Sequence, residues 1–249
     1  MVIMGTRKEK IMERLRVYSK EMGYSYTLGP YPTFEIIKKR PELVIRVILS
    51  EGFREREKMI RLLEEKGISY TFEEKTLERI GNKKKIFAAA VFKKELEPIK
   101  EGNHLLLEEV RDMGNLGTII RTMAGFGFKD LVLLGNTCDI FNPKVIRGSM
   151  GSFFGIRISA FENLSEYRKQ WKEQNIYAFV LDEESRRLPE IRYETPYTLC
   201  FGNEGDGLSE DFYGEGIQKI FIPQTEDVDS LNLTLACGVG MYEAWRHHV

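Results

Sequence analysis

Cysteine and histidine are scarce in this sequence, three of each among 249 residues, and each shortage excludes a class of protein. Cys138, Cys200 and Cys237 are odd in number and lack metal-ligand spacing, so a disulfide framework is out. Buried free thiols in a reducing cytoplasm are expected instead. His104, His247 and His248 are too few and too scattered to build a metal site. No apolar stretch approaches the ~20 residues that span a bilayer. The start, Met-Val-Ile-Met-Gly-Thr-Arg-Lys, lacks the apolar core and cleavage site of a signal peptide. The dinucleotide fingerprint and the phosphate-cradling Gly-Lys-Ser/Thr loop are also missing, which argues against a nucleotide-binding oxidoreductase. Internal repeats and low-complexity tracts are absent.

What is there describes an ordinary soluble globular protein, 42% hydrophobic and 30% charged. The net charge of −1 hides a division. Residues 1–100 carry 23 Lys and Arg against 15 Asp and Glu, whereas residues 101–249 carry 14 against 23. A basic first half joined to an acidic remainder suggests that the first half meets a polyanion, with solvated helix faces as the alternative.

Apolar periodicity predicts a helix over 7–22, a short helix beginning at Pro32, a strand over 43–49, a helix over 54–65 ended by Gly67, a strand over 68–72, the end of a helix at 77–80 and a strand over 87–92. That alternation implies a small α/β domain over 1–95 with a mostly parallel sheet. Lys83, Lys84 and Lys85 follow Gly81 in a loop where amines can reach phosphates. The charged stretch around 96–102 reads as a linker, and a second α/β series fills 103–249. Its predicted strands are 105–110, 130–134, 178–181, 199 onward and 220–223. Its predicted helices are 116–126, 143–150, 164–174 and a closing one over 230–246, capped by Ser230. The closing helix is nearly apolar from Leu231 to Trp245 and is expected to be buried, with Gly238 and Gly240 marking close packing.

Three clusters carry polar groups where an α/β sheet binds ligands. In the first, Asn115 and Arg121 follow a strand; Asn115 reads as the helix cap and Arg121 as reaching around from the second turn, with a surface salt bridge as its alternative. In the second, the apolar run Tyr197–Phe201 ends in Gly202-Asn203-Glu204-Gly205-Asp206-Gly207. Glycines there permit positive φ and close approach of a ligand to the main chain, or serve only as a turn into a helix capped by Ser209. In the third, Ile222-Pro223 leads to Ser230-Leu231-Asn232, where Asn232 is either a buried amide in need of partners or a simple cap.

Taken in order, these clusters resemble the three motifs of the SpoU (TrmH-like) RNA 2′-O-ribose methyltransferases of the SPOUT superfamily. Asn142-Pro143-Lys144-Val145-Ile146-Arg147-Gly148-Ser149 is similar to the segment that follows the family's first motif. The resemblance covers 103–249, and 1–95 resembles the ribosomal-protein-like RNA substrate-binding domain often joined in front. This chain has Met113-Gly114-Asn115 where members often have Pro-Gly-Asn. It also carries the acidic run Thr225–Asp229 where many have a glycine, and that acidity repels phosphate.

The resemblance implies a carboxyl-terminal trefoil knot, a homodimer, and S-adenosylmethionine held largely by main chain around Leu199, Gly202, Asn203, Gly207, Ile222 and Leu231. It implies methyl transfer to a ribose 2′-hydroxyl, with ribosomal RNA favoured and transfer RNA as the alternative substrate. Arg121 takes the central role, and Asn115, Glu204, Ser230 and Asn232 position it and the ribose. Lys83, Lys84, Lys85 and Arg147 are the expected RNA contacts. No metal and no membrane partner is expected, and the competing reading is an RNA-binding protein of the same fold without catalysis.

Overall fold

The computed structural model describes residues 14–82, 85–182 and 185–246. The chain divides into two units, Met1–Lys94 with Phe141–Arg147, and Glu95–Ile140 with Gly148–Val249.

The first unit contains β1 (Tyr24–Tyr26), α1 (Pro30–Lys39), β2 (Val44–Leu49), α2 (Arg56–Glu65), β3 (Tyr70–Phe72), α3 (Glu74–Ile80) and β4 (Ala88–Lys93). Its sheet runs β1-β4-β2-β3. Only β2 and β3 are parallel; β4 is antiparallel to both β1 and β2, which corrects the expectation of a mostly parallel sheet. The helix–strand alternation gave no direction for β4. Its small apolar residues, Ala88 to Phe92, are fully buried and let it enter the middle of the sheet.

The helix expected over 7–22 falls partly outside the described residues, and residues 14–22 are not helical. Their carbonyls are taken by tertiary partners instead. Tyr26 Oη donates to the Arg16 carbonyl at 2.8 Å and Arg79 Nη1 to that of Leu15 at 2.9 Å, while the Leu15 side chain is buried beside Ile48, Leu77 and Val91. Fixing those groups in a coil outweighs a local helical preference.

In the second unit the series is β5 (His104–Glu108), α4 (Met113–Gly125), β6 (Asp130–Leu134), β7 (Arg157–Phe161), α6 (Leu164–Gln170), β8 (Asn175–Phe179), β9 (Arg186–Arg187), β10 (Tyr197–Phe201), β11 (Ile217–Phe221) and α7 (Leu233–Arg246). The short α5 (Pro143–Gly148) lies between β6 and β7 in the chain. The sheet order is β7-β6-β5-β10-β8-β11-β9, and every pairing is parallel. β6 and β10 are buried along their whole length, as strands covered on both faces should be. Strand order reverses between β5 and β10, and open parallel sheets offer their ligand crevice at the carboxyl ends of such a switch.

Residues 96–102 are packed on this unit: Ile158 N donates to the Glu97 carbonyl at 2.8 Å, Ile99 N to Ser159 Oγ at 3.2 Å, and Ile99 is buried. α6 stops at Gln170, four residues early, where Trp171 turns edge-on to the buried His104 ring 4.9 Å away. α7 starts at Leu233, and its cap is Asn232 where Ser230 was expected. Among the described residues no helix is long and apolar enough to cross a membrane.

Candidate active site

A cleft of about 750 Å³, counting its open mouth, lies at the carboxyl ends of β8, β10 and β11. Its floor includes Phe179 and Phe201, whose rings stack at 4.2 Å with 17° between their planes. Gly240 of α7 makes room for that pair, since a Cβ there would stand 2.8 Å from the Cζ of each ring. Gly238 has no such constraint, its nearest neighbour being Thr122 Cγ2 at 3.9 Å. One wall is the chain from Gly202 to Gly207; another is formed by Ile222, Gln224, Ser230 and Leu231.

The glycine loop is organised by Asn203. Its Oδ1 accepts from Gly205 N and Asp206 N, both at 2.8 Å, and its carbonyl accepts from Gly207 N at 3.2 Å. Only Gly207 has positive φ, at 72°. Gly202 is required by the fold of the loop itself. A Cβ there would lie 1.9 Å from Gly207 C and 2.2 Å from Leu208 N, so the close approach is by the returning loop itself. Ser209 caps nothing with its side chain; its N and Oγ donate to the two carboxylate oxygens of Glu108, at the tip of β5.

Motif one meets this loop through a side-chain hydrogen bond. Asp112, where Asn115 was expected, caps α4, its Oδ1 accepting from Asn115 N at 2.7 Å. That places Asn115 one turn in, with its Nδ2 donating to Glu204 Oε1. Arg121 lies nearly two turns further along α4, exposed, and among the described residues it forms no hydrogen bond or ion pair. The structure therefore brings Asn115 and Glu204 together and leaves Arg121 apart from them within one chain.

Of the other expected site residues, Gly202, Asn203, Gly207, Ile222, Leu231, Glu204 and Ser230 line the cleft. Leu199 does not: it is fully buried inside β10. Asn232 is exposed, not buried, its Oδ1 occupied by Thr234 N at 2.9 Å and Thr234 Oγ1 at 2.6 Å. Lys83 and Lys84 lie outside the described residues. Lys85 is exposed with its Nζ 5.3 Å from the Phe87 ring centroid, and Arg147 is exposed near the end of α5. Among the described residues no group of three His, Cys, Asp or Glu side chains could hold a metal ion. The three cysteines are free. Burial first, then the nearby Asp112, pushes the Cys138 thiol up to about 11, and burial also raises Cys200 and Cys237 well above the ordinary thiol value.

Sequence reading passed over Glu108, Asp112 and the stacked phenylalanines. Asp112 carried a signal, an acid three residues ahead of the helix's first polar side chain. Glu108 and the two rings carried none, because strand order decides which strand tips adjoin.

The model of the SpoU rRNA Methylase family matches residues 102–242. A Synechocystis protein named an uncharacterized tRNA/rRNA methyltransferase is 35% identical over 143 residues, which are 57% of this chain and 52% of that protein. The 23S rRNA (guanosine(2553)-2′-O)-methyltransferase RlmP of Bacillus subtilis is 32% identical over 140 residues, covering 55% and 56% of the two chains. The chain thus spans about half the length of these curated relatives. The crystal structure of an AdoMet-bound rRNA methyltransferase from Sinorhizobium meliloti superimposes with a TM-score of 0.78 at 27% identity, over 91% of this chain and 88% of that one.

Proposed function

This chain belongs to the SpoU rRNA Methylase family, and from that premise we propose that it transfers a methyl group from S-adenosylmethionine to a ribose 2′-hydroxyl of RNA. The observation that carries the reading is that motifs two and three line one cleft, with Glu204, Ile222, Ser230 and Leu231 in its walls, and that Asn115 of motif one donates to Glu204. The cleft suits the cofactor. Its volume is that of a small-molecule site, stacked rings and aliphatic side chains offer an adenine face, and the main chain of 202–207 offers polar groups without bulk. Ribosomal RNA is the favoured substrate, since the family and the RlmP relative carry that name; the Synechocystis relative keeps transfer RNA as the alternative.

When bound, the cofactor supplies an activated methyl group on a sulfonium. The chain must then hold the hydroxyl in line and manage its proton. A guanidinium stays protonated, so Arg121 acts on the ribose and its neighbouring phosphate as a cation that stabilises the developing alkoxide. Asn115 and Glu204 orient one another, and Ser230 lines the same cleft as Glu204. We assign Asn232 to holding the start of α7.

The homodimer belongs to the same proposal. α7 exposes Leu235, Val239, Tyr242 and Trp245, with Phe126, the residue that follows α4, against Tyr242 and Trp245, both at 5.9 Å between centroids. A second copy covers that stripe and so supplies the burial expected from the helix's composition. It also brings the exposed Arg121 of one subunit to the cleft of the other. The family's trefoil knot is assigned to the stretch from β10 to α7. Residues 1–95 serve as the RNA-binding domain, with Lys83, Lys84, Lys85 and Arg147 among its contacts and 96–102 as the connection, in a cytoplasmic protein. Mapping 2′-O-methyls in total RNA with and without this protein tests the reading and names the nucleotide; an unchanged map would count against it.

A further inference from the structure

Glu108 belongs to none of the three motifs, yet both of its carboxylate oxygens are spent on Ser209, just beyond the glycine loop. Oε2 accepts from Ser209 N at 2.7 Å and Oε1 from Ser209 Oγ at 2.8 Å. We propose that Glu108 is a positioning residue that anchors the return limb of the glycine loop and so holds the cofactor wall in shape. The outgoing limb needs no such anchor, because β10 is paired on both sides by β5 and β8. Glu204, near the tip, is held by Asn115. The return limb must lie flat against Gly202, where no Cβ fits, and the loop's own bonds come from Asn203 alone. What fixes the return limb to the rest of the unit is the buried Leu208 side chain and, next to it, the Glu108–Ser209 pair. Among the described residues Glu108 forms no ion pair, and a carboxylate accepting from N–H and O–H makes the stronger, charge-assisted kind of bond.

Hydrogen exchange of the full chain without ligand, followed from milliseconds to seconds at the peptide spanning 202–209, tests this. In Glu108→Ala the loop amides exchange about 10-fold faster or more, the effect of losing hydrogen bonds to a charged group. Ser209→Ala, which keeps the main-chain bond, has a smaller effect, and the double variant is no faster than Glu108→Ala alone. Glu108→Gln, the same shape without the charge, falls between, and it carries the comparison should the alanine variant not fold. Amides of β5 and β10 keep their wild-type rates. Wild-type exchange at the loop, or acceleration spread evenly over both strands, would overturn the proposal. A second readout rests on the cofactor reading: S-adenosylmethionine binds Glu108→Ala about 10-fold more weakly by calorimetry. Absence of binding to the wild-type protein would contradict the cofactor and leave the exchange result to decide the role of Glu108.

Discussion

A methyl group at position 202 would lie 2.0 Å from the Gly207 carbonyl oxygen, a distance that side-chain rotation cannot relieve because both partners are backbone. Gly202→Ala must therefore open the loop. Cofactor affinity should drop about 10-fold or more at an overpacking cost of about 1–3 kcal/mol, measured by calorimetry beside a circular dichroism spectrum that stays folded; undiminished affinity would contradict the geometry. His104 makes a prediction of a different kind. It is fully buried, its Nδ1 bonded to Tyr167 Oη and its Nε2 to the Lys100 carbonyl, each at 2.7 Å. Burial lowers its pKa from 6.5, against the opposing effects of the Lys100 carbonyl and Asp130. The folded state therefore binds fewer protons here than the unfolded state. This contribution is intact above about pH 6.5 and is lost as pH falls below it. Urea midpoints should decline from pH 7.5 to 5.5, and His104→Gln should flatten that slope. A slope identical in the variant would assign the decline to other groups.

At the scale of elements, most of the second unit was legible because parallel strands buried on both faces are continuous apolar runs. β5, β6 and β10 fall within two residues of their expected bounds. β1 and β7 were missed: Tyr24-Ser25-Tyr26 is too short for periodicity, and β7 mixes Arg157 and Ser159 into its run. The candidate site was legible as residue types in order, and not as contacts. Nothing local shows that Glu204 meets Asn115 across 89 residues, or that Asp112 displaces Asn115 from the cap. α7 illustrates both limits. Its apolar composition was plain, yet one face packs through Gly240 on the stacked rings while the other stays open. Gly240→Ala should cost about 1–3 kcal/mol, because Phe179 and Phe201 must separate to admit the methyl. Gly238→Ala, with room around its Cβ, should instead gain from better helix propensity, by up to about 1 kcal/mol. Equal effects on the thermal midpoint would show that ring stacking places no demand on the helix.

For the whole molecule, the exposed stripe of α7 and the exposed Arg121 have one explanation in a two-fold dimer, where every contact occurs twice. Val239→Glu should shift the protein to monomer in analytical ultracentrifugation and abolish methyl transfer while each chain still folds. Arg121→Ala and Ser230→Ala should each lose about 10²–10³-fold in rate if both groups stabilise the transition state. Mixed and reassembled, half the dimers are hybrids with one intact site, so activity should return to roughly a quarter of wild type. No return, with hybrids confirmed by mass, would place Arg121 in the subunit whose cofactor it serves. The central claim is chemical, and one measurement addresses it directly. The protein is incubated with RNA and S-adenosylmethionine labelled in the methyl group, and the RNA is then digested to nucleosides. The account predicts label in a 2′-O-methylated nucleoside, abolished by Arg121→Ala; label on a base, or none while the cofactor binds, would contradict it.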